Sequence, residues 1–110
     1  MSYQHKELAA GRWHQLSFLE QMANIGSELE RALNWRAKNN LPYSQQAFER
    51  ALELLDLTLE STKGLARKKE LCRVREAMVD YFCGTNQFGS TERSWRRYFM
   101  PFAYAARKNR

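Results

Sequence analysis

Proline and glycine are scarce: two and five in 110 residues. Few points therefore exist at which a regular helix must stop. A strand-and-turn fold needs more of both, so the shortage favours long helices. No run of about 18 apolar residues occurs, which argues against a helical membrane span. No charged-then-apolar leader opens the chain, and a soluble, cytosolic protein with no membrane partner is expected. Cysteine is almost as sparse. Cys72 and Cys83 stand eleven residues apart in one expected helix, about 16 Å along its axis at 1.5 Å per residue. A disulfide requires alpha carbons within about 7 Å, so an intrachain bridge is excluded, and reduced thiols fit a cytosolic home.

Histidine is confined to His5 and His14, and this closes several catalytic routes. The pair lacks the spacing of a zinc site. No Glu-x-x-His occurs, so the di-iron bundle pattern fails. The Arg-x4-6-His motif of degradative RNase-type helical bundles is missing as well. Neither cysteine has a histidine on its own helix to activate it. No cofactor is expected.

What the chain does hold is apolar periodicity. Hydrophobic residues make up 44% and aromatics 13%, enough for a packed interior and too much for a disordered chain. The length suits one domain, residues 1–110. A first helix is predicted from about His5 to Lys38. Phe18, Met22, Ile25, Leu29, Ala32 and Leu33 recur on it at three- and four-residue steps. Gly26 falls on that apolar stripe, which suggests close approach of another helix. "NNLPYS" is the following turn, and a second helix runs from Pro42–Ser44 to Glu60 on Phe48, Ala51, Leu52, Leu55 and Leu59. A third spans Leu65 to Cys83 with Leu71, Val74, Met78, Tyr81 and Phe82 inward, and Gly84 as a left-handed C-terminal cap. The fourth follows Ser90 or Thr91 as cap, carries Trp95, Tyr98, Phe99, Phe102 and Ala106 on one face, and should kink or break at Pro101. The architecture expected is an all-α antiparallel four-helix bundle with an overlong first helix. At roughly 50 Å against roughly 27 Å for the others, the first helix either projects or bends. A projecting end invites self-association.

Several strings, "FLEQMANIGSE" from Phe18, "AFERALELLDLT" from Ala47, "ELCRVRE" from Glu70 and "GSTERSWRRYF" with "AARKNR", resemble a family of small bacterial proteins without assigned function. The resemblance covers nearly the whole chain. It implies an all-helical cytosolic protein and brings no activity, cofactor or catalytic residue.

Charge is distributed unevenly. The net +6 gathers in residues 61–75, with six Lys or Arg against one Glu, and in residues 93–110, with six and no acid. On the fourth helix Arg93, Arg97, Met100, Tyr104, Arg107 and Lys108 face away from the aromatic side. Arginine fits phosphate bidentately, and an exposed tyrosine is a stacking platform. Lys68 and Lys69 belong to the second basic block. In an up-down bundle this block and the end of the fourth helix share one end of the molecule. RNA or DNA binding through phosphate is the leading function, set against a basic face that serves only solubility and the helix dipole.

Two further constellations compete with it. Trp13, Glu20, Asn24, Arg31 and Trp35 cluster on the back of the first helix, as an interface with another helix, a second copy or a partner protein. Arg75 projects between Leu71, Met78 and Phe82. It is expected to be largely buried and paired with a carboxylate, Glu20 first, or else to serve as an anion-binding group in a cleft. An acidic stripe of Glu49, Glu53, Asp56 and Glu60, with Glu76 and Asp80, resembles the metal-holding pairs of helical nucleotide pyrophosphohydrolases. Its angles to the apolar stripe read instead as solvated faces. A binding module leads, a protein-binding accessory subunit follows, and a metal-dependent nucleotide hydrolase comes third.

Overall fold

The computed structural model describes residues 11–108. Four α-helices follow a 3-10 turn at Trp13–Gln15: α1 (Phe18–Ala37), α2 (Leu41–Ser61), α3 (Leu65–Cys83) and α4 (Glu92–Lys108). Among the described residues there is no strand.

The overlong first helix is corrected. Leu16 is extended at ψ 148°, and α1 starts afresh after Ser17. The Ser17 hydroxyl accepts from the Glu20 N–H at 3.2 Å, and Glu20 Oε1 accepts from the Ser17 N–H at 3.0 Å. This reciprocal cap satisfies two N–H groups that a helix start leaves open. It favours a new helix here over continuation of the old one. The expected segment before Gly11, with His5, lies outside the described residues.

At the other end of α1, Asn39 takes a left-handed φ of 62°, and the Asn40 side chain accepts from the Tyr43 N–H at 3.2 Å. The chain thus turns in three residues, 38–40, and α2 begins, with Pro42 in its first turn where a missing N–H is harmless. Thr91 and Ser94 cap α4 reciprocally, at 3.0 and 2.9 Å. One further expectation fails locally. Gly84 is extended rather than left-handed, and Asn86 (φ 59°) takes the positive φ instead. Of the kink or break expected at Pro101, the break does not occur, and α4 runs through that residue.

Paired side chains give the topology. Arg50 on α2 reaches Glu28 on α1, and Ser44 Oγ donates to the Ala32 carbonyl, so α1 and α2 are antiparallel. Arg75 on α3 meets Asp56 on α2, while Phe82 stacks on Phe48 at 4.7 Å. Phe102, late in α4, packs on Phe18, early in α1, and Arg96 meets Glu30. Successive helices alternate direction around a core of Met22, Ile25, Leu29, Leu33, Phe48, Leu55, Leu71, Met78, Trp95 and Phe99. Gly26 marks a close crossing of α1 and α4. A β-carbon there would lie 2.9 Å from Phe99 Cβ, so only glycine admits α4 this close to α1. The helix α2 lies deepest, with Glu53 (6% exposed) and Leu57 buried on the side away from Leu55. Glu53 is thus buried although Glu49 and Glu60, on the same stripe of α2, are exposed, and the solvated position expected for Glu53 is corrected.

Candidate nucleic-acid interface

The four arginines of α4 divide into two kinds. Arg96 is committed to the fold. Its Nε and NH1 donate to Glu30 at 2.8 Å and Glu92 at 3.2 Å, and NH2 donates to Asn34 Oδ1 at 3.1 Å. The Glu30 hydrogen bond, ahead of the cost of desolvation, raises its pKa further above the ordinary arginine value. Arg93, Arg97 and Arg107 are exposed, and among the described residues none has a carboxylate within ion-pair distance.

The cause is angular. At about 100° per residue, Arg93, Arg97, Tyr104 and Lys108 fall opposite Trp95 and Phe99, which are buried. Arg96 falls on the flank that meets α1. Met100 and Tyr104 stand 65% and 61% exposed between the outward cations. The stripe spans about 22 Å of helix at 1.5 Å per residue. It is a row of guanidinium and ammonium groups, without a carboxylate partner among the described residues, with one phenol ring among them.

Of the second basic block, part joins this stripe and part does not. Phe18 touches both Phe102, ring to ring at 6.2 Å, and Arg67, whose guanidinium lies 4.0 Å over its ring. The start of α3 and the end of α4 therefore share one end of the bundle. Lys69 and Arg73, one turn apart, are exposed, and Arg73 lines a depression shared with Ser94 and Tyr98 of α4. Lys68 is also exposed. It precedes Arg75 by two turns and so shares the flank that faces α2.

The expected aromatic interface on the back of the first helix is dispersed. Trp13 is 1% exposed and belongs to the core, because the chain reverses at Leu16 and lays the indole against α2. Its Nε1 donates to Thr58 Oγ1 at 3.0 Å, and Gln21 Nε2 donates to its carbonyl at 3.0 Å. Glu20 serves the cap of α1, and the Asn24 amide folds back onto the Glu20 carbonyl at 2.8 Å. Arg31 is exposed with a 3.6 Å contact to Glu28. Trp35 packs edge-on against Tyr43 at 4.9 Å, beneath the Lys38 ammonium.

Arg75 is also relocated. Its partner is Asp56 on α2, at 2.8 Å, and not Glu20; both side chains of the pair are 42% exposed. The neighbour across α3 at this level is α2, which puts Asp56 within reach. The hydrogen bond to Asp56, ahead of desolvation, holds the guanidinium above its ordinary pKa.

The remaining acidic residues do not converge. Asp80 holds a loop, accepting the N–H groups of Gln87 and Phe88 at 2.9 and 3.0 Å. Glu49, Glu60 and Glu76 are exposed. Among the described residues no three His, Cys, Asp or Glu side chains gather as metal ligands would. Cys72 and Cys83 are both free and exposed, and His14 is exposed. No helix of the described residues is long and apolar enough to cross a membrane.

One feature escaped the reading of the sequence. Phe88, in the loop between α3 and α4, is 54% exposed yet held by ordered backbone. The turn formers Asn86 and Gly89 on either side were its available signal.

No family model, curated protein or solved structure matches the chain.

Proposed function

We propose that this protein is a non-enzymatic binding module for nucleic acid, RNA or DNA, contacted through phosphate by the outward stripe of α4. Arg93, Arg97, Arg107 and Lys108 supply the cations and Tyr104 a stacking surface, with Lys69 extending the surface from α3. Lys68 adds charge on the far flank of α3. The observation that carries this reading is the contrast within α4. Arg96 is neutralised by two carboxylates, whereas its outward neighbours have none among the described residues. Unpaired guanidinium groups along one ridge suit a repeating row of phosphates, and such contacts position a polymer without reading its sequence.

The test is binding of short RNA and DNA by fluorescence anisotropy across a salt series. Affinity should fall steeply between low and physiological salt, because bound phosphates release counterions. The double variant Arg97→Glu, Arg107→Glu should keep its helical circular dichroism, bind more weakly, and flatten the salt dependence by about two phosphate equivalents. A parent protein that binds neither polymer at low salt ends this reading.

A second reading is association with another copy of the chain, in the manner of an accessory subunit. The overlong helix and the exposed Trp13 that first suggested it are gone. Its support is a groove of about 390 Å³ between α1 and α4, lined by Ala23, Gly26, Ala103 and the exposed Met100. Sedimentation at micromolar concentration decides it, and a strict monomer refutes it. The metal-dependent hydrolase has no comparable support, since its carboxylates are dispersed.

A further inference from the structure

We infer that the groove between α3 and α4 receives one unpaired nucleobase, stacked on Phe88, so that the polymer bound along α4 is single-stranded. This rests on the nucleic-acid reading above and adds to it a subsite and a strand state.

Phe88 is the first ground. An exposed phenylalanine in a connecting loop would ordinarily be loosely held. Here the backbone on both sides of it is fixed. The Asp80 carboxylate accepts from the Gln87 and Phe88 N–H groups. Asn86 exchanges two hydrogen bonds with Ser90, at 2.8 and 2.9 Å, and Gly89 adopts φ 67°. The backbone is thus tied down beneath a half-exposed aromatic ring, so the loop needs no further ordering when a base stacks on that ring.

The second ground is what surrounds that ring. Phe88 lines a depression of about 370 Å³ together with Glu70, Arg73, Ser94, Trp95 and Tyr98. That volume lies within the range of about 300–1,000 Å³ typical of small-molecule sites. The buried Trp95 side chain forms part of its wall. The Tyr98 hydroxyl donates to Glu70 Oε2 at 3.2 Å. Burial and the Glu70 charge push the Tyr98 pKa well up, so that donor stays committed to Glu70. The carboxylate keeps its other oxygen for a base amino group.

Charge is the third ground. The depression adjoins another that shares Ser94 and Tyr98 and is lined by Arg93 and Arg97. A base seated on Phe88 therefore has Arg73 on its α3 side and Arg97 on its α4 side for the phosphates flanking it. A duplex keeps the faces of its bases stacked internally and cannot offer one to Phe88. A single strand can, whatever its sequence.

The experiment compares a single-stranded oligonucleotide of about 12 nucleotides with a duplex of the same length, by anisotropy at one fixed low salt. The parent should bind the single strand more tightly. Phe88→Ala should weaken single-strand binding by about fivefold to a hundredfold and leave duplex binding unchanged, and Phe88→Trp should retain it. Phe88→Leu, which keeps apolar bulk for the fold but no aromatic face, should lose it too, and carries the comparison if the alanine variant unfolds. Unchanged single-strand affinity in the folded Ala or Leu variant overturns the inference, as does equal affinity for both polymers. If Arg97→Glu, Arg107→Glu abolishes binding while Phe88→Ala does not, the phosphate reading stands and the base subsite falls. If the parent binds neither polymer, both fall.

Discussion

Replacing Trp13 separates the structure from the periodicity of the sequence more sharply than any other single change. On the outward face of a continuous helix its loss would move stability by no more than about 0.5 kcal/mol, as at most surface positions. In the structure it is fully buried, donates to Thr58 Oγ1 at 3.0 Å and anchors the segment before α1 onto α2. Trp13→Ala removes a large buried side chain and leaves a cavity, a change that costs about 3–5 kcal/mol. Trp13→Phe keeps part of the packing and removes the donor. Thr58 Oγ1 still donates to the Leu54 carbonyl at 2.9 Å but loses its own donor, so about 1–2 kcal/mol beyond the packing loss is expected. Equilibrium urea unfolding at pH 7, followed at the far-ultraviolet helix signal, measures both. A double-mutant cycle with Thr58→Val isolates the hydrogen bond, for which a coupling of about 0.5–1.5 kcal/mol is expected. A Trp13→Ala protein within about 0.5 kcal/mol of the parent refutes the burial of this segment.

Gly26→Ala should destabilise, although alanine is the better helix former by about 1 kcal/mol. The new methyl group meets Phe99 Cβ at 2.9 Å, and forcing the helices apart costs about 1–3 kcal/mol; a raised melting temperature would show that α4 has room to move. Arg75→Ala should cost no more than about 1 kcal/mol, since the pair with Asp56 is 42% exposed on both sides and screened by solvent; a loss of several kcal/mol in urea would mean the guanidinium is enclosed. For Tyr98 the folded protein holds its proton more tightly than the unfolded chain does. Its contribution is therefore complete below the ordinary tyrosine pKa of about 10 and is lost as pH rises beyond it. Melting temperatures between pH 9 and 11 should fall less steeply in Tyr98→Phe than in the parent, and parallel slopes would sink this assignment.

The sequence alone determined four helices, the apolar stripe of each, the close approach at Gly26 and the division of α4 into a buried aromatic face and an outward basic one. These follow from local rules: helical periodicity decides which side of a helix is apolar, and scarce proline and glycine decide where it stops. Only the tertiary structure decided the fate of Trp13, the partner of Arg75 and the burial of Glu53. The signal for the break, Ser17 followed by Glu20, was present in the chain, but the apolar pattern runs on through it and gave no reason to prefer a stop. Arg75 pairs with Asp56 rather than Glu20 because α2, not α1, flanks α3 at that level. Periodicity gives the angle at which a side chain leaves its own helix. It carries no information about which other helix lies in that direction, and burial, pairing and the groove beside Phe88 all depend on that neighbour.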